Sequence, residues 1–174
     1  MKRTAIVTGG GRGIGLAIAR RLAEEGSFVA IFDRDESSGK EALESLRSQG
    51  HEVEFFSCDV ADGDSVALAC GAVQEEIGTP SILVNNAGIV RDNWLEKISE
   101  ADWDAVIDTN LKGTFLTCKQ IAGAMREAGG GKIVNITSRA WLGSTGQVNY
   151  SASKGGVVSL TRSLALELAR FSIN

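Results

Sequence analysis

The stretch AIVTGGGRGIG, residues 5–15, decides the fold, because a short apolar strand runs directly into a glycine-rich loop. Beyond the loop, Ile14, Ile18 and Leu22 recur at the spacing of a helix, and Gly26 marks the end of that helix. The stretch therefore predicts a strand, a flexible loop and a helix in immediate succession.

The glycines of this loop fit the spacing G-x-x-x-G-x-G at Gly9, Gly13 and Gly15, whereas the commoner G-x-G-x-x-G spacing fails in every register. Glycine lets the backbone turn sharply and approach a pyrophosphate, whose negative charge is attracted by the N-terminus of the following helix. A tight turn without a ligand is the alternative. We predict a dinucleotide site, because the loop has more glycine than a turn needs.

Outward from this loop, apolar strands and amphipathic helices alternate along the chain. Strict alternation predicts a parallel sheet with helices on both faces, which is a doubly wound α/β fold in a single domain, residues 1–174. Capping residues mark where the helices begin. The predicted strands are 5–8, 28–32, 53–56, 82–84 and 133–136; the predicted caps are Asp35, Asp62 and a capping box of Ser99 and Asp102, which opens a long helical region through Met125.

Composition excludes several classes of partner. A net charge of -4 without a run of Lys or Arg argues against nucleic acid or an acidic membrane surface, and no stretch is apolar enough to span a membrane. Cys58, Cys70 and Cys118 are odd in number and widely spaced, which predicts reduced thiols in a cytoplasmic protein and no metal site. His51 is expected at the surface, and the start of the chain shows no signal peptide.

The chemically distinctive residues cluster at the predicted carboxyl ends of the strands, where sheets of this kind bind ligands. They are the glycine loop, Asp33, Asp59, residues 86–88 and Ser138. Structural glycines and caps would scatter over both ends of the sheet. The clustering therefore predicts one binding site.

Asp33 bears on the choice of cofactor, because it lies at the end of the second strand, in the position that meets the adenosine ribose. A carboxylate there accepts hydrogen bonds from a ribose diol and repels a 2′-phosphate, which favours NAD over NADP. Arg12 and Arg34 argue the other way, since either could meet a phosphate. A simple cap at the strand end is the alternative role of Asp33.

Tyr150 is the only tyrosine, and Lys154 follows it by one helical turn. Side chains at that spacing share a face of a helix. A cation beside a phenol favours the phenolate form, which makes the pair a candidate acid/base for an alcohol or carbonyl oxygen. The pair alone is a weak signal, because chance alone can place a lysine at this spacing from a single tyrosine.

Several motifs occur together and in order: TGGGRGIG, Asp59-Val60, NNAG at residues 85–88, Asn110, Ser138, and YSASK at residues 150–154. In this combination the chain resembles the short-chain dehydrogenase/reductase family, in its compact branch. The segments NNAGIVRD and GQVNYSASK are similar to the 3-oxoacyl-acyl-carrier-protein reductase group. The resemblance covers essentially the whole chain and implies a Rossmann-like fold.

The resemblance implies four catalytic residues. Tyr150 would be the acid/base, and Lys154 would assist it and bind the nicotinamide ribose. Ser138 would hold the substrate oxygen, and Asn110 would position a water that links Lys154 to solvent. Asn110 could instead cap or kink the long helix, and Ser138 could be a turn residue. Trp141 is expected near the substrate.

The resemblance also implies an NAD site, with NADP as the alternative, and a small carbonyl or alcohol substrate. Two apolar helical regions, 105–125 and 150–169, imply a homodimer or homotetramer. The expected cofactor residues are Gly9, Gly11, Arg12, Gly13, Ile14, Gly15, Asp33, Arg34, Asp59, Val60 at the adenine, Asn86, Ala87, Gly88, Tyr150 and Lys154.

Family members continue past the position of Asn174 with further strands and a mobile segment over the substrate. We therefore expect a sheet that is incomplete at this edge, an exposed strand at residues 133–136, and weak or no activity of the 174-residue chain. Three functions remain open from sequence: an NAD(H)-dependent dehydrogenase or carbonyl reductase, an NADPH-dependent 3-oxoacyl carrier reductase, and a dinucleotide-binding module without activity.

Overall fold

The computed structural model describes residues 2–174, so Met1 of the predicted domain lies outside the described residues. Five parallel strands form one sheet in the order β3-β2-β1-β4-β5, which confirms the doubly wound prediction. The strands are β1 Thr4–Thr8, β2 Phe28–Asp33, β3 Val53–Ser57, β4 Ile82–Asn85 and β5 Lys132–Asn135; the helices are α1 Gly13–Glu24, α2 Glu36–Ser48, α3 Gly63–Glu76, α4 Glu100–Ile107, α5 Gly113–Glu127 and α6 Val148–Leu168.

The helix starts follow from local capping. Asp35 accepts a hydrogen bond from the Ser38 N–H at the start of α2, and Asp62 caps α3 in the same way. At the start of α4, the Asp102 N–H donates to the Ser99 hydroxyl at 3.1 Å. The long helical region predicted through Met125 is interrupted by a π turn, Asp108–Lys112, between α4 and α5.

Two hydrophobic clusters fill the opposite faces of the sheet. Along β1, Ile6 joins one cluster whereas Ala5 and Val7 join the other, because successive side chains of a strand alternate between faces. One cluster packs under α3, α5 and the end of α6, and the other packs under α1 and α2. These clusters leave the carboxyl ends of the strands free for a site.

The apolar residues that predicted helix α1 do not all face the sheet. The spacing of Ile14, Ile18 and Leu22 predicted the helix correctly, but the Ile14 side chain is 69% exposed. The buried residues of α1 are Gly15, Ala19 and Ala23, since the helix lies so close to the sheet that small residues form its contact face. Ile14 faces the cleft described below.

The edge strand β5 is less open than the sequence predicted. Ser172 and Asn174 accept hydrogen bonds from the Gly131 and Ile133 N–H groups at 3.2 and 2.8 Å. The Asn174 N–H returns a bond to the Gly131 carbonyl at 3.1 Å. Within the predicted exposed strand, residues 133–136, the prediction of an unpaired edge is therefore wrong at Ile133, whereas Val134 is 47% exposed.

No helix within residues 2–174 is long and apolar enough to cross a membrane. The same residues contain no group of three or more His, Cys, Asp or Glu side chains that could hold a metal ion. Cys58, Cys70 and Cys118 are free and buried. Burial raises the pKa of the Cys118 thiol to about 12, so it is protonated at neutral pH.

Candidate active site

The glycine loop is held against β4 by polar contacts. The Thr8 hydroxyl accepts hydrogen bonds from the Asn86 and Ala87 N–H groups, both at 3.0 Å. The Asn86 side chain in turn donates to the carbonyl oxygens of Thr8 and Gly9 at 3.0 and 3.1 Å. A Cβ at Gly15 would overlap the Gly9 carbonyl oxygen, so the loop can close on itself only with glycine at that position.

Asp33 is fixed by backbone donors at the end of β2. Its carboxylate accepts hydrogen bonds from the Gly11 N–H at 3.0 Å and from the Asp35 N–H at 3.1 Å. These bonds leave further acceptor capacity on both oxygens. Asp33 therefore presents a rigid carboxylate rather than a mobile surface charge.

A cleft of about 300 Å³ opens between the loops that follow β1, β2, β3 and β4. It lies where the strand order reverses between β1 and β4, which is the usual ligand position in a doubly wound sheet. Its walls carry acidic groups, two arginines and backbone glycines. The lining residues are Gly9, Arg12, Ile14, Gly15, Asp33, Arg34, Cys58, Asp59, Val60, Asn86, Ala87, Gly88, Ile89 and Thr109.

Tyr150 and Lys154 lie one turn apart at the beginning of α6. The Lys154 ammonium is 5.7 Å from the centroid of the Tyr150 ring and donates to the Ile136 carbonyl at 2.9 Å. Lys154 is only 5% exposed, and this burial lowers the pKa of its ammonium from the usual 10.5. A Cβ at Gly88 would lie 3.6 Å from the Lys154 nitrogen, so Lys154 lies next to Gly88 of the cleft wall.

Asn110 is fully buried in the π turn. Its side chain accepts from the Ile89 N–H at 2.8 Å and donates to the Ile89 carbonyl at 3.0 Å. A third bond joins its amide to the Ser153 hydroxyl at 3.1 Å. The side chain therefore links the cleft wall to helix α6.

Ser138 follows β5 and precedes the 3₁₀ turn Arg139–Leu142. Its hydroxyl accepts a hydrogen bond from the Ala140 N–H at 3.2 Å. The neighbouring Thr137 hydroxyl donates to the Lys154 carbonyl at 3.0 Å, which ties the end of β5 to helix α6. Trp141 lies in the same turn and is 43% exposed.

Residues 3–174 match the protein family described as short chain dehydrogenase. The chain belongs to this family. The match spans the glycine loop, the residues that line the cleft and the Tyr150–Lys154 pair.

Known relatives support the assignment. The BbsD subunit of the hydroxy(phenyl)methylsuccinyl-CoA dehydrogenase of Thauera aromatica is 46% identical over 98% of this chain and 69% of its own length. A 3-oxoacyl-acyl-carrier-protein reductase of Chlamydia pneumoniae is 42% identical over the same shares. An actinorhodin polyketide ketoreductase crystallised with NADPH is 41% identical, with a TM-score of 0.97 over 99% of this chain and 67% of that chain.

The structure brings most of the sequence-predicted residues of this short-chain dehydrogenase into one place. Of the expected cofactor residues, Gly11, Gly13, Tyr150 and Lys154 do not line the cleft, and Gly11 instead holds Asp33 from behind. Sequence reasoning missed Cys58, Ile89 and Thr109. Each directly adjoins a predicted site residue, so adjacency is the signal that could have found them.

Proposed function

We propose that the chain is an oxidoreductase that exchanges a hydride between NAD(H) and a secondary alcohol or ketone. One observation carries the proposal: a buried lysine, which lies beside the only tyrosine, sits next to Gly88 in the wall of a cleft that is lined by a glycine loop. An acid/base at the nicotinamide end of a dinucleotide site is the arrangement that carbonyl reduction requires.

The cleft residues fit a dinucleotide. The loop at Gly9 and Gly15 leaves no room for side chains, so a pyrophosphate could approach the backbone at the N-terminus of α1. Asp33 offers acceptors to a ribose diol, and Asp59 with Val60 borders the region expected for adenine. When bound, the nicotinamide supplies or accepts the hydride.

In the proposed mechanism, Tyr150 donates its phenolic proton to the carbonyl oxygen as that oxygen gains negative charge. The Lys154 ammonium stabilises the phenolate that remains. The Ser138 hydroxyl donates a hydrogen bond to the same oxygen and orients it. In the oxidative direction, the Tyr150 phenolate removes the proton of the alcohol.

The substrate class follows from the relatives. The names of the Thauera and Chlamydia proteins both specify acyl groups on a carrier, one on coenzyme A and one on an acyl-carrier protein. We therefore propose a 3-oxoacyl thioester or its alcohol as substrate. A small ketone is the broader alternative.

An NADPH-dependent 3-oxoacyl carrier reductase is the second candidate. The ketoreductase with a TM-score of 0.97 was crystallised with NADPH, and Arg12 and Arg34 border the cleft near Asp33. Arg12 also pairs with Asp35 at 3.5 Å, which partly neutralises it. Asp33 favours NAD because its fixed carboxylate would repel a 2′-phosphate.

Tyr150→Phe tests the reaction, because it removes the proton donor and keeps the ring. Turnover of a 3-oxoacyl thioester should fall about a thousandfold, while NADH binding followed by fluorescence stays within a factor of two. Wild-type chain that binds NADH but shows no turnover would favour a dinucleotide-binding module without activity. Turnover that survives in Tyr150→Phe would refute the assigned role.

Paired titrations with NADH and NADPH test the cofactor preference. The wild-type chain should bind NADH more tightly, and Asp33→Ala should reverse the order because the repulsion of the 2′-phosphate is removed. Equal preference in both chains would show that Asp33 does not select the cofactor.

We also propose a cytoplasmic homodimer or homotetramer. Phe115 on α5 and Leu166 on α6 belong to the two apolar helical regions and are 46% and 85% exposed, and a subunit interface would remove their apolar surface from water. The free, buried cysteines fit a reducing compartment. Sedimentation at micromolar concentration should show a dimer or tetramer, and a monomer would contradict this proposal.

A further inference from the structure

Ser153 lies between the two residues of the proposed acid/base pair and is fully buried. Its hydroxyl donates to the Tyr150 carbonyl at 2.7 Å and accepts from the Asn110 side-chain amide at 3.1 Å. Both functions of the hydroxyl are therefore used inside the protein.

A continuous chain of hydrogen bonds runs from Ser153 to the cleft. Asn110 binds both the N–H and the carbonyl of Ile89, and Ile89 lines the cleft. These hydrogen bonds join three separate segments: the loop after β4, the π turn and helix α6. All polar atoms of the Asn110 side chain take part in them, so the amide cannot rotate without losing a bond.

We propose that Ser153 is a positioning residue that couples the cofactor cleft to Tyr150. This inference rests on the proposed oxidoreductase function. Occupation of the cleft fixes Ile89, and Asn110 transmits this constraint through Ser153 to the backbone carbonyl of Tyr150. Without the serine hydroxyl, the buried Asn110 amide loses one acceptor. The first turn of α6 then moves independently of the cleft.

Helix α6 keeps a second attachment to the same loop. The Asn149 side chain is fully buried and donates to the Arg91 carbonyl at 3.0 Å. Loss of the Ser153 hydroxyl should therefore change the position of the first turn without detaching the helix. Ser153→Ala removes the hydroxyl alone, and Ser153→Cys keeps the size and offers only a weak acceptor.

Ser151 provides a matched control in the same turn. Its hydroxyl is buried and forms no hydrogen bond within residues 2–174. Ser151→Ala also removes a hydroxyl next to Tyr150, but it breaks none of the hydrogen bonds that join Ser153 to the cleft. Any effect of altered helix propensity is shared by the two alanine variants.

The experiment combines steady-state kinetics with hydrogen exchange of the peptide that spans residues 148–154. In the wild-type chain and in Ser151→Ala, saturation with NADH should slow exchange of this peptide. In Ser153→Ala, kcat should fall about tenfold with the KM for NADH within a factor of two, and NADH should no longer slow the exchange. Ser153→Cys should show the same changes, at reduced size.

Two results would overturn the proposal: no slowing of exchange by NADH in the wild-type chain, or equal slowing and equal kcat in Ser151→Ala and in both folded Ser153 variants. Circular dichroism shows whether each variant folds. If Ser153→Ala does not fold, the kinetics and the hydrogen exchange of Ser153→Cys test the coupling. Failure of the oxidoreductase function itself appears separately, as absence of turnover in the wild-type chain. The exchange measurement still decides the coupling in that case.

Discussion

Helices α1 and α2 pack on the same face of the sheet but begin differently. At α2, the Asp35 side chain accepts a hydrogen bond from the Ser38 N–H. At α1, Arg12 occupies the capping position and makes no side-chain cap bond. The start of α2 is satisfied within the protein, whereas the start of α1 borders the cleft and suits a phosphate.

The same contrast separates the other helices. Helices α3 and α4 are capped by Asp62 and Ser99, whereas Gln147 at the capping position of α6 makes no side-chain cap bond. Helix α5 also lacks a side-chain cap, because it continues directly from the π turn. The proposed site therefore lies at two of the three helices that lack such a cap.

The largest expected effect lies on α6. Lys154→Met should lower turnover about 100-fold to 10,000-fold because the cation beside Tyr150 is lost. The free energy of unfolding in urea should not decrease, since a buried ammonium is replaced by an apolar side chain of similar length. If Lys154→Met instead lowers the free energy of unfolding and retains turnover, Lys154 serves the stability of the fold and not the reaction.

The next effect lies at the start of α1. Gly15→Ala should destabilise the protein by about 1–3 kcal/mol and weaken NADH binding, because its Cβ overlaps the Gly9 carbonyl oxygen. Gly71→Ala on α3 is the matched control, since a Cβ there meets nothing within 4 Å. Gly71→Ala should stabilise the protein by about 0.5–1 kcal/mol. Urea unfolding and fluorescence titration measure both changes.

Lys154 should make both the stability of the fold and the turnover depend on pH. Burial lowers the pKa of Lys154 below 10.5, so the folded chain loses this proton at a lower pH than the unfolded chain. Between the two pKa values the unfolded chain binds more protons, and stability rises with pH. Turnover should fall over the same range as the ammonium disappears. Lys154→Met should lack this rise in stability, and a rise of equal size would exclude Lys154 as its cause.

The smallest effect concerns a scaffold cap. Asp62→Ala removes the acceptor of the Asp64 N–H at the start of α3 and should cost about 1 kcal/mol of stability without changing kcat. Arg12→Ala, at the start of α1, should instead leave stability unchanged and weaken cofactor binding. If both substitutions alter only stability, the start of α1 has a structural role and does not bind the cofactor.

Local signals predicted much of the fold. Caps at Asp35 and Asp62 and the positive φ of Gly26 and Gly50 act over a few residues, so sequence alone can reveal them. The predicted strand cores match because buried parallel strands are continuous apolar runs. The small contact face of α1, formed by Gly15, Ala19 and Ala23, could not be predicted, because periodicity does not show how closely a helix approaches a sheet.

The sequence by itself determined the order of strands and helices, the glycine loop and the helical spacing of Tyr150 and Lys154. These features depend on residue type and on neighbours within one or two turns. Only the tertiary structure decided that Asn110 joins Ile89 to Ser153, that Lys154 is buried against Ile136, and that Ser172–Asn174 pairs with β5. Contacts of this kind join residues 18 to 43 positions apart, and the free energy of packing the whole chain selects them.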